Sequence, residues 1–338
     1  MNILAIRFAR LGDVVLLVPA LSSLKRSFLD SRLTLLTGHR CAPIAELCPA
    51  IDEVLAVNRV AMREGPVLTA LQDMTRLVRE VRRRRFDLVI DFHSFRETNL
   101  LAWASGGDIR IAMKRYGAPY LRFCFNQPPI LEDKALHVAE MFEKVVEEII
   151  PLLTGKGLLA TPPLRGGELC IPDDLRRWAE QRGSDKSRLV LYVDAPVSER
   201  IWPPERFAAL ADFAIEQLNA QPIVITGKEG KDLARRVQHA SQNSNQIRVF
   251  TDLTLPQVAA LIASARLFVS NDTGPMHIGP AVGVQTLGLF SVGYPEHFRP
   301  IGSNDRFLRA NPIDKIETKE VIAVVEEMWT IADPNLRY

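Results

Sequence analysis

Cysteine is scarce in this chain. Its four thiols, Cys41, Cys48, Cys124 and Cys170, stand in no CxxC pair and at no Cys/His ligand spacing, which argues against both a zinc site and a disulfide framework. An excess of one charge is missing too. The 42 Lys and Arg against 40 Asp and Glu leave +2, so no global basic field points to a nucleic-acid partner. No apolar run reaches the length of a membrane span. Met1 leads straight into Ile3-Leu4-Ala5-Ile6 without a charged n-region and a long apolar h-region, which argues against export. No GxGxxG follows a strand-like run, so a nicotinamide dehydrogenase is a poor fit. The expectation is a soluble, cytoplasmic protein, peripheral to the inner face of a membrane at most.

What is present is ordinary globular composition: 338 residues, 47% hydrophobic and 24% charged, enough for two domains at about 150 residues each. Short apolar runs alternate with stretches of helical period from the first residue on, the signature of parallel strands joined by crossover helices. Strands are expected at Asn2–Arg7, Arg32–Thr37, Glu53–Val57, Phe86–Asp91 and Ile109–Ala112, and helices at Val14–Phe28, Val67–Arg83 and Ala135–Ile150. Glycine and proline over Pro151–Pro172 break any regular element and mark a linker. A second series follows, with strands at Leu189–Val193, Pro222–Thr226, Ile247–Phe250, Leu267–Ser270 and Gln285–Leu289. Its helices are expected at Pro204–Leu218, Lys231–Ala240, Leu255–Ala263, Gly274–Val282 and Thr318–Ile331.

This pattern predicts an α/β protein of two Rossmann-like, doubly wound domains facing across a cleft, with ligands at the carboxyl ends of the strands. The domains are drawn at 1–165 and 166–317, with a terminal helix in 318–338 free to pack on either half, the first included. Arg76, Arg79 and Arg82 to Arg85 cluster against Glu80 alone. Cations near a helix C-terminus on a solvated face are the plainer reading, and a surface for anionic substrate or lipid headgroups is the other.

Three segments carry chemistry. Ser270-Asn271-Asp272-Thr273-Gly274-Pro275-Met276-His277 joins an apolar strand to a small-residue helix and is built like an anion seat. Asp272 or Thr273 can cap the helix, and the N–H groups of Thr273, Gly274, Met276 and His277 can point at phosphate oxygens. An ordinary capped strand-to-helix turn fits the same residues. Gly12 and Asp13 open the first helix after the first strand, where such domains place ligands, and a carboxylate there is favoured as the anion by the helix dipole. Asp13 reads either as a simple N-cap or as a base for a hydroxyl nucleophile. In the loop after Val193, Ser198-Glu199-Arg200 offers a guanidinium that can fork onto a diphosphate, or merely pair with Glu199, while Trp202 and Pro203 lock the loop. His93, Ser94 and Arg96 also follow a strand end; they can touch an acceptor, with solvent-exposed helix-start roles as the plainer alternative.

Together these segments resemble glycosyltransferase family 9, the ADP-heptose:lipopolysaccharide heptosyltransferases. Arg10-Leu11-Gly12-Asp13-Val14 resembles that family's Gly-Asp opening, and Arg200-Ile201-Trp202-Pro203 its basic-x-Trp-Pro loop. Asn271 to His277 with Gly283-Val284 is similar to its diphosphate loop. The resemblance implies a GT-B fold, acceptor on the amino-terminal half and nucleotide sugar on the carboxyl-terminal half, and inversion without a metal or other cofactor. It also implies Asp13 as general base, with Gly12, Ser198, Arg200, Asp272, Thr273, Gly274, Met276 and His277 on the donor side. An acid after strand Pro222–Thr226 would hold the ribose hydroxyls, Glu229 by choice and Asp232 as the alternative. The implied partners are a nucleotide-sugar donor, ADP-linked, and a glycan or lipid-linked glycan acceptor. Two departures stand out: Arg200 replaces the usual lysine, and Asp194-Ala195-Pro196 replaces a Pro-Gly-Ala-like turn. A nucleotide-sugar epimerase and a non-catalytic nucleotide-sugar-binding protein are the rival readings.

Overall fold

Every strand pairing among the described residues of the computed structural model is parallel, and the inner strands of each sheet, buried along nearly their whole length, read as near-unbroken apolar runs. The structure describes residues 1–8, 10–64, 66–154, 167–184 and 187–332. The chain divides into two compact units, Met1–Pro162 and Pro163–Tyr338.

The amino-terminal unit runs β1 (Asn2–Arg7), α1 (Leu11–Val15), α2 (Val18–Ser27), β2 (Arg32–Gly38), α3 (Ala42–Ala45), β3 (Glu53–Val57), α4 (Arg59–Glu64) and α5 (Val67–Arg83). It continues with β4 (Leu88–Asp91), α6 (Arg96–Ala104), β5 (Ile109–Lys114), β6 (Ile130–Leu131) and α7 (Val138–Thr154). The sheet order is β3-β2-β1-β4-β5-β6, and Ile6 of β1 stands opposite Leu36 of β2 on one side and Asp91 of β4 on the other. Its core gathers Leu4, Ile6, Leu36, Val89 and Leu101. The helix expected over Val14–Phe28 is two helices, because Pro19 lacks an N–H donor and is accommodated in the first turn of α2.

The carboxyl-terminal unit runs α8 (Asp173–Glu180), β7 (Arg188–Tyr192), α9 (Pro204–Glu216), β8 (Gln221–Thr226), α10 (Lys231–Ala240), β9 (Arg248–Thr251) and α11 (Leu255–Ala263). Then come β10 (Leu267–Asn271), α12 (Ile278–Ala281), β11 (Thr286–Phe290), α13 (Pro295–Phe298), β12 (Arg306–Arg309) and α14 (Thr318–Ile331). The order β12-β11-β10-β7-β8-β9 repeats the doubly wound topology of the first sheet. Val321, Val325, Met328 and Trp329 of α14 lie in this unit's core with Trp202, Phe207 and Leu289. The terminal helix thus buries its apolar stripe in the second unit.

The linker expected over Pro151–Pro172 falls in part on 155–166, outside the described residues, as do 333–338 of the terminal segment. On its near side α7 extends to Thr154, and on its far side the Leu169 N–H donates to the Ala281 carbonyl at 2.8 Å. No helix among the described residues is long and apolar enough to cross a membrane.

Candidate functional site

In the carboxyl-terminal unit the strand order reverses between β7 and β10, where a doubly wound sheet leaves a crevice at its carboxyl edge. β10 ends at Asn271, which is fully buried. Its Oδ1 accepts the Trp202 N–H at 3.1 Å and its Nδ2 donates to the Val193 carbonyl at 3.0 Å, so one amide pins both ends of the loop after β7. Trp202, also fully buried, donates Nε1–H to the Ile316 carbonyl at 2.9 Å and packs edge-on against Phe207. The loop-locking role read for Trp202 is therefore present in the structure.

The pinned loop carries Arg200, whose Nη1 lies 3.1 Å from the Asp272 carboxylate rather than on Glu199. Burial pushes the Asp272 carboxyl above its ordinary range, and Arg200 pulls the other way. The Arg200 Nε is buried with no acceptor among the described residues, so the guanidinium keeps donor capacity. Ser198 donates its hydroxyl to the Glu199 carboxylate at 3.1 Å. Gly293 closes in on Asp272 so tightly that a Cβ there would come within 2.0 Å of Oδ2.

Thr273 occupies the N-cap position after β10, but its side chain makes no capping bond, and Asp272 is committed to Arg200. Gly274–His277 form a 3-10 turn ahead of α12, not the first turn of one α-helix. That tighter turn closes an i to i+3 bond and uses the Met276 N–H, which donates to the Thr273 carbonyl at 3.1 Å. That bond occupies the Met276 N–H, one of the donors expected to face phosphate. The N–H groups of Thr273 and Gly274 have no backbone acceptor among the described residues. His277 is buried.

Asp194, which the sequence flags only as a departure, organises the neighbouring loop. Its Oδ2 accepts the Gly227 N–H at 3.3 Å, and a Cβ on Gly230 would approach that oxygen to 2.7 Å. The two glycines let the loop after β8 close on the carboxylate. Burial raises the Asp194 carboxyl, backbone N–H bonds oppose this, and the charge of Glu229 adds to the rise. Glu229 is exposed in that loop. Asp232, the alternative acid, is exposed and paired with Arg235 at 3.2 Å.

In the amino-terminal unit the order reverses between β1 and β4. β1 ends at Arg7, a guanidinium only 3% exposed, donating Nη1–H to the Phe92 carbonyl at 2.7 Å and Nη2–H to Asp13 Oδ1 at 2.6 Å. Burial pulls the Arg7 pKa down and Asp13 opposes it. The Asp13 side chain is 27% exposed, and the N-cap of α1 is Arg10, so Asp13 lies inside the first turn and is no cap. Gly12 is buried beside it. Sequence reasoning missed Arg7; the signal available was a lone cation closing an otherwise apolar strand.

β4 ends at the fully buried Asp91, whose carboxylate accepts the N–H groups of His93 and Ser94 at 2.9 and 2.8 Å and Asn99 Nδ2 at 2.9 Å. Burial raises this carboxyl despite those bonds. They hold a turn in which Ser94 adopts φ 56°. The His93 ring is thereby buried between Phe8 and Phe95. Burial, then the charges of Arg7, Arg59 and Arg115, hold its pKa down to about 2. The solvent-exposed roles expected for His93 and Ser94 are thus corrected, because Asp91 folds the turn inward; Arg96 is exposed and opens α6.

The family model for glycosyltransferase family 9 (heptosyltransferase) matches residues 74–324. Lipopolysaccharide heptosyltransferase 3 of Escherichia coli K12 is 23% identical over 314 residues, covering 91% of this chain and 88% of that protein. A family 9 glycosyl transferase from Veillonella parvula superposes with a TM-score of 0.82 at 21% identity, over 98% of this chain and 97% of the other. The Escherichia coli heptosyltransferase WaaC, solved with ADP, superposes with a TM-score of 0.80 at 18% identity, over 97% and 100%. The two-sheet GT-B architecture of those enzymes is the fold of this chain.

Proposed function

Since the chain belongs to glycosyltransferase family 9, the heptosyltransferases, we propose that it moves a heptose from ADP-heptose to a hydroxyl of a lipopolysaccharide-core or related lipid-linked glycan. The reaction is a single inverting displacement. Asp13 accepts the proton of the acceptor hydroxyl while that oxygen bonds to the anomeric carbon. The bond from that carbon to the diphosphate oxygen breaks, and its electron pair leaves with ADP. Arg7 holds one oxygen of Asp13, which leaves the other to take the proton.

On the donor side, Arg200 and the N–H groups of Thr273 and Gly274 meet the charge growing on the leaving diphosphate, with Ser198 beside them. That electrostatic work needs no metal ion. Asp272 accepts from a heptose hydroxyl once Arg200 turns to phosphate, His277 braces the turn, and Glu229 takes the ribose hydroxyls. The proposed setting is the inner face of the cytoplasmic membrane, where a nucleotide sugar and a lipid-linked acceptor meet.

The observation that carries this reading is the Arg200–Asp272 pair next to two backbone donors at a strand-end crevice, an arrangement suited to a diphosphate. The ADP bound by WaaC supports an adenine nucleotide as the leaving group. The test is to incubate the protein with ADP-heptose and heptose-deficient lipopolysaccharide and to follow ADP release and product mass. One added heptose per acceptor is expected. Isomerised sugar from donor alone, or no product together with no preference for ADP over UDP and GDP in thermal shift, contradicts the reading.

A further inference from the structure

Helix α5 is long and amphipathic, yet has little beneath it. Of its 17 residues Val81 is the buried one, while Val67, Leu68 and Leu71 are 83%, 76% and 63% exposed. Between α5 and the carboxyl edge of the first sheet lies a half-open cleft of about 330 Å³, walled by Phe8, Val57, Val60, Met74, Leu77 and Leu101. Its two charged lining residues, Arg59 and Glu97, pair with each other at 3.2 Å. Arg59 is further occupied by the Phe8 carbonyl, to which Nη1 donates at 3.0 Å, and by the Phe8 ring at 5.3 Å. The cleft therefore offers little to a sugar or an anion and a continuous apolar wall to hydrocarbon.

Its place is as informative as its lining. Phe8 follows Arg7 directly, the residue that holds Asp13, and Val57 closes β3, so the cleft opens at the same sheet edge as Asp13. Val67, Leu71 and Met74 recur at i, i+4 and i+7, so an apolar track runs along one side of α5 from the cleft to the exposed start of the helix. The volume sits at the low end of the roughly 300–1,000 Å³ of small-molecule sites, room for one chain and not for a peptide helix.

We propose that this cleft receives an acyl chain of the lipid-linked acceptor, so that the amino-terminal unit recognises its substrate by hydrocarbon as well as by sugar. The inference rests on the glycosyl-transfer reading above, and it names the acceptor class. An acyl chain in the cleft covers Leu77 and Met74 and completes the packing of α5 against Phe8 and Leu101.

Dodecanoate below its micellar concentration, titrated into protein labelled at methionine methyl groups, tests the site without using turnover. Met74 and Met1 are 37% and 40% exposed, so Met1 is the matched control. A saturable shift of the Met74 signal with Met1 unmoved is expected, and affinity rises up to roughly tenfold for each two methylenes between octanoate and dodecanoate. Val60→Glu keeps the Met74 reporter and weakens binding by about tenfold or more, because it sets a carboxylate in the apolar wall. In transfer assays the same variant raises KM for the acylated acceptor and leaves the deacylated one unchanged. Equal shifts at Met74 and Met1, wild-type dodecanoate affinity in Val60→Glu, or an equal KM change for both acceptors overturns the proposal. No transfer by the wild-type chain to either acceptor counts against the glycosyl-transfer reading alone, which the methyl titration does not involve.

Discussion

Arg200 Nη1 stands 3.1 Å from the Asp272 carboxylate and so ties the loop after β7 to the turn after β10, across the switch point of one sheet. A guanidinium already turned into that crevice needs little reorganisation to fork onto a diphosphate. Arg200→Ala is expected to weaken ADP binding by roughly 10- to 100-fold, the loss of charge-assisted hydrogen bonds of about 1.5–3 kcal/mol. Arg200→Lys recovers part of this, since it restores the charge without the fork. Calorimetric titration with ADP measures both, and unchanged affinity in the alanine variant removes Arg200 from the donor site.

Gly293 has no side chain to offer the donor, yet its substitution is expected to reach the donor through Asp272. A Cβ would meet Asp272 Oδ2 at 2.0 Å, with the Phe290 ring at 3.3 Å beyond it, so the carboxylate must shift from the position in which it would accept from the heptose hydroxyl. Gly293→Ala should raise the KM for the sugar nucleotide about tenfold and lower the melting temperature, in line with the roughly 1–3 kcal/mol of overpacking. A variant with wild-type KM and melting temperature shows that Asp272 does not need that space.

His93 sets a pH dependence of stability. Its pKa, held down to about 2 from an ordinary 6.5, means that below pH 6.5 the unfolded chain binds a proton that the folded chain refuses. The stability contributed by neutral His93 is full above that pH and is lost as pH falls towards the folded value. Urea unfolding at pH 7 and pH 5 should show wild type losing about 2 kcal/mol more than His93→Gln over that interval, at about 1.4 kcal/mol per unit. Parallel losses in the two proteins contradict this account of the buried ring.

Much of the fold was legible because buried parallel strands must be apolar on both faces. β3, α5, α10, α11 and α14 fall where periodicity puts them. α3 and α6 escaped although they bury Ile44 and Leu101, but three other elements that escaped are lightly buried. β12 alternates Arg306, Phe307, Leu308 and Arg309 at a sheet edge with one partner strand, β6 is two residues long, and α8 buries only Ala179. Each carries too few apolar residues to show a period. In the candidate site, the motif residues were visible, but their partners were not. Arg7, Asp91 and Asp194 act through contacts such as those with Asp13, Asn99 and Gly227, six, eight and thirty-three positions away, which only the folded chain brings together.

Asp13 is the residue proposed to take the acceptor's proton. Asp13→Asn keeps an oxygen for the Arg7 hydrogen bond and removes the base, which separates chemistry from folding. The decisive measurement is kcat for heptose transfer alongside the Kd for ADP in this variant. The expected kcat is lower by roughly 10²–10⁴-fold, the span of a general base, with ADP affinity unchanged. A wild-type kcat in Asp13→Asn contradicts it.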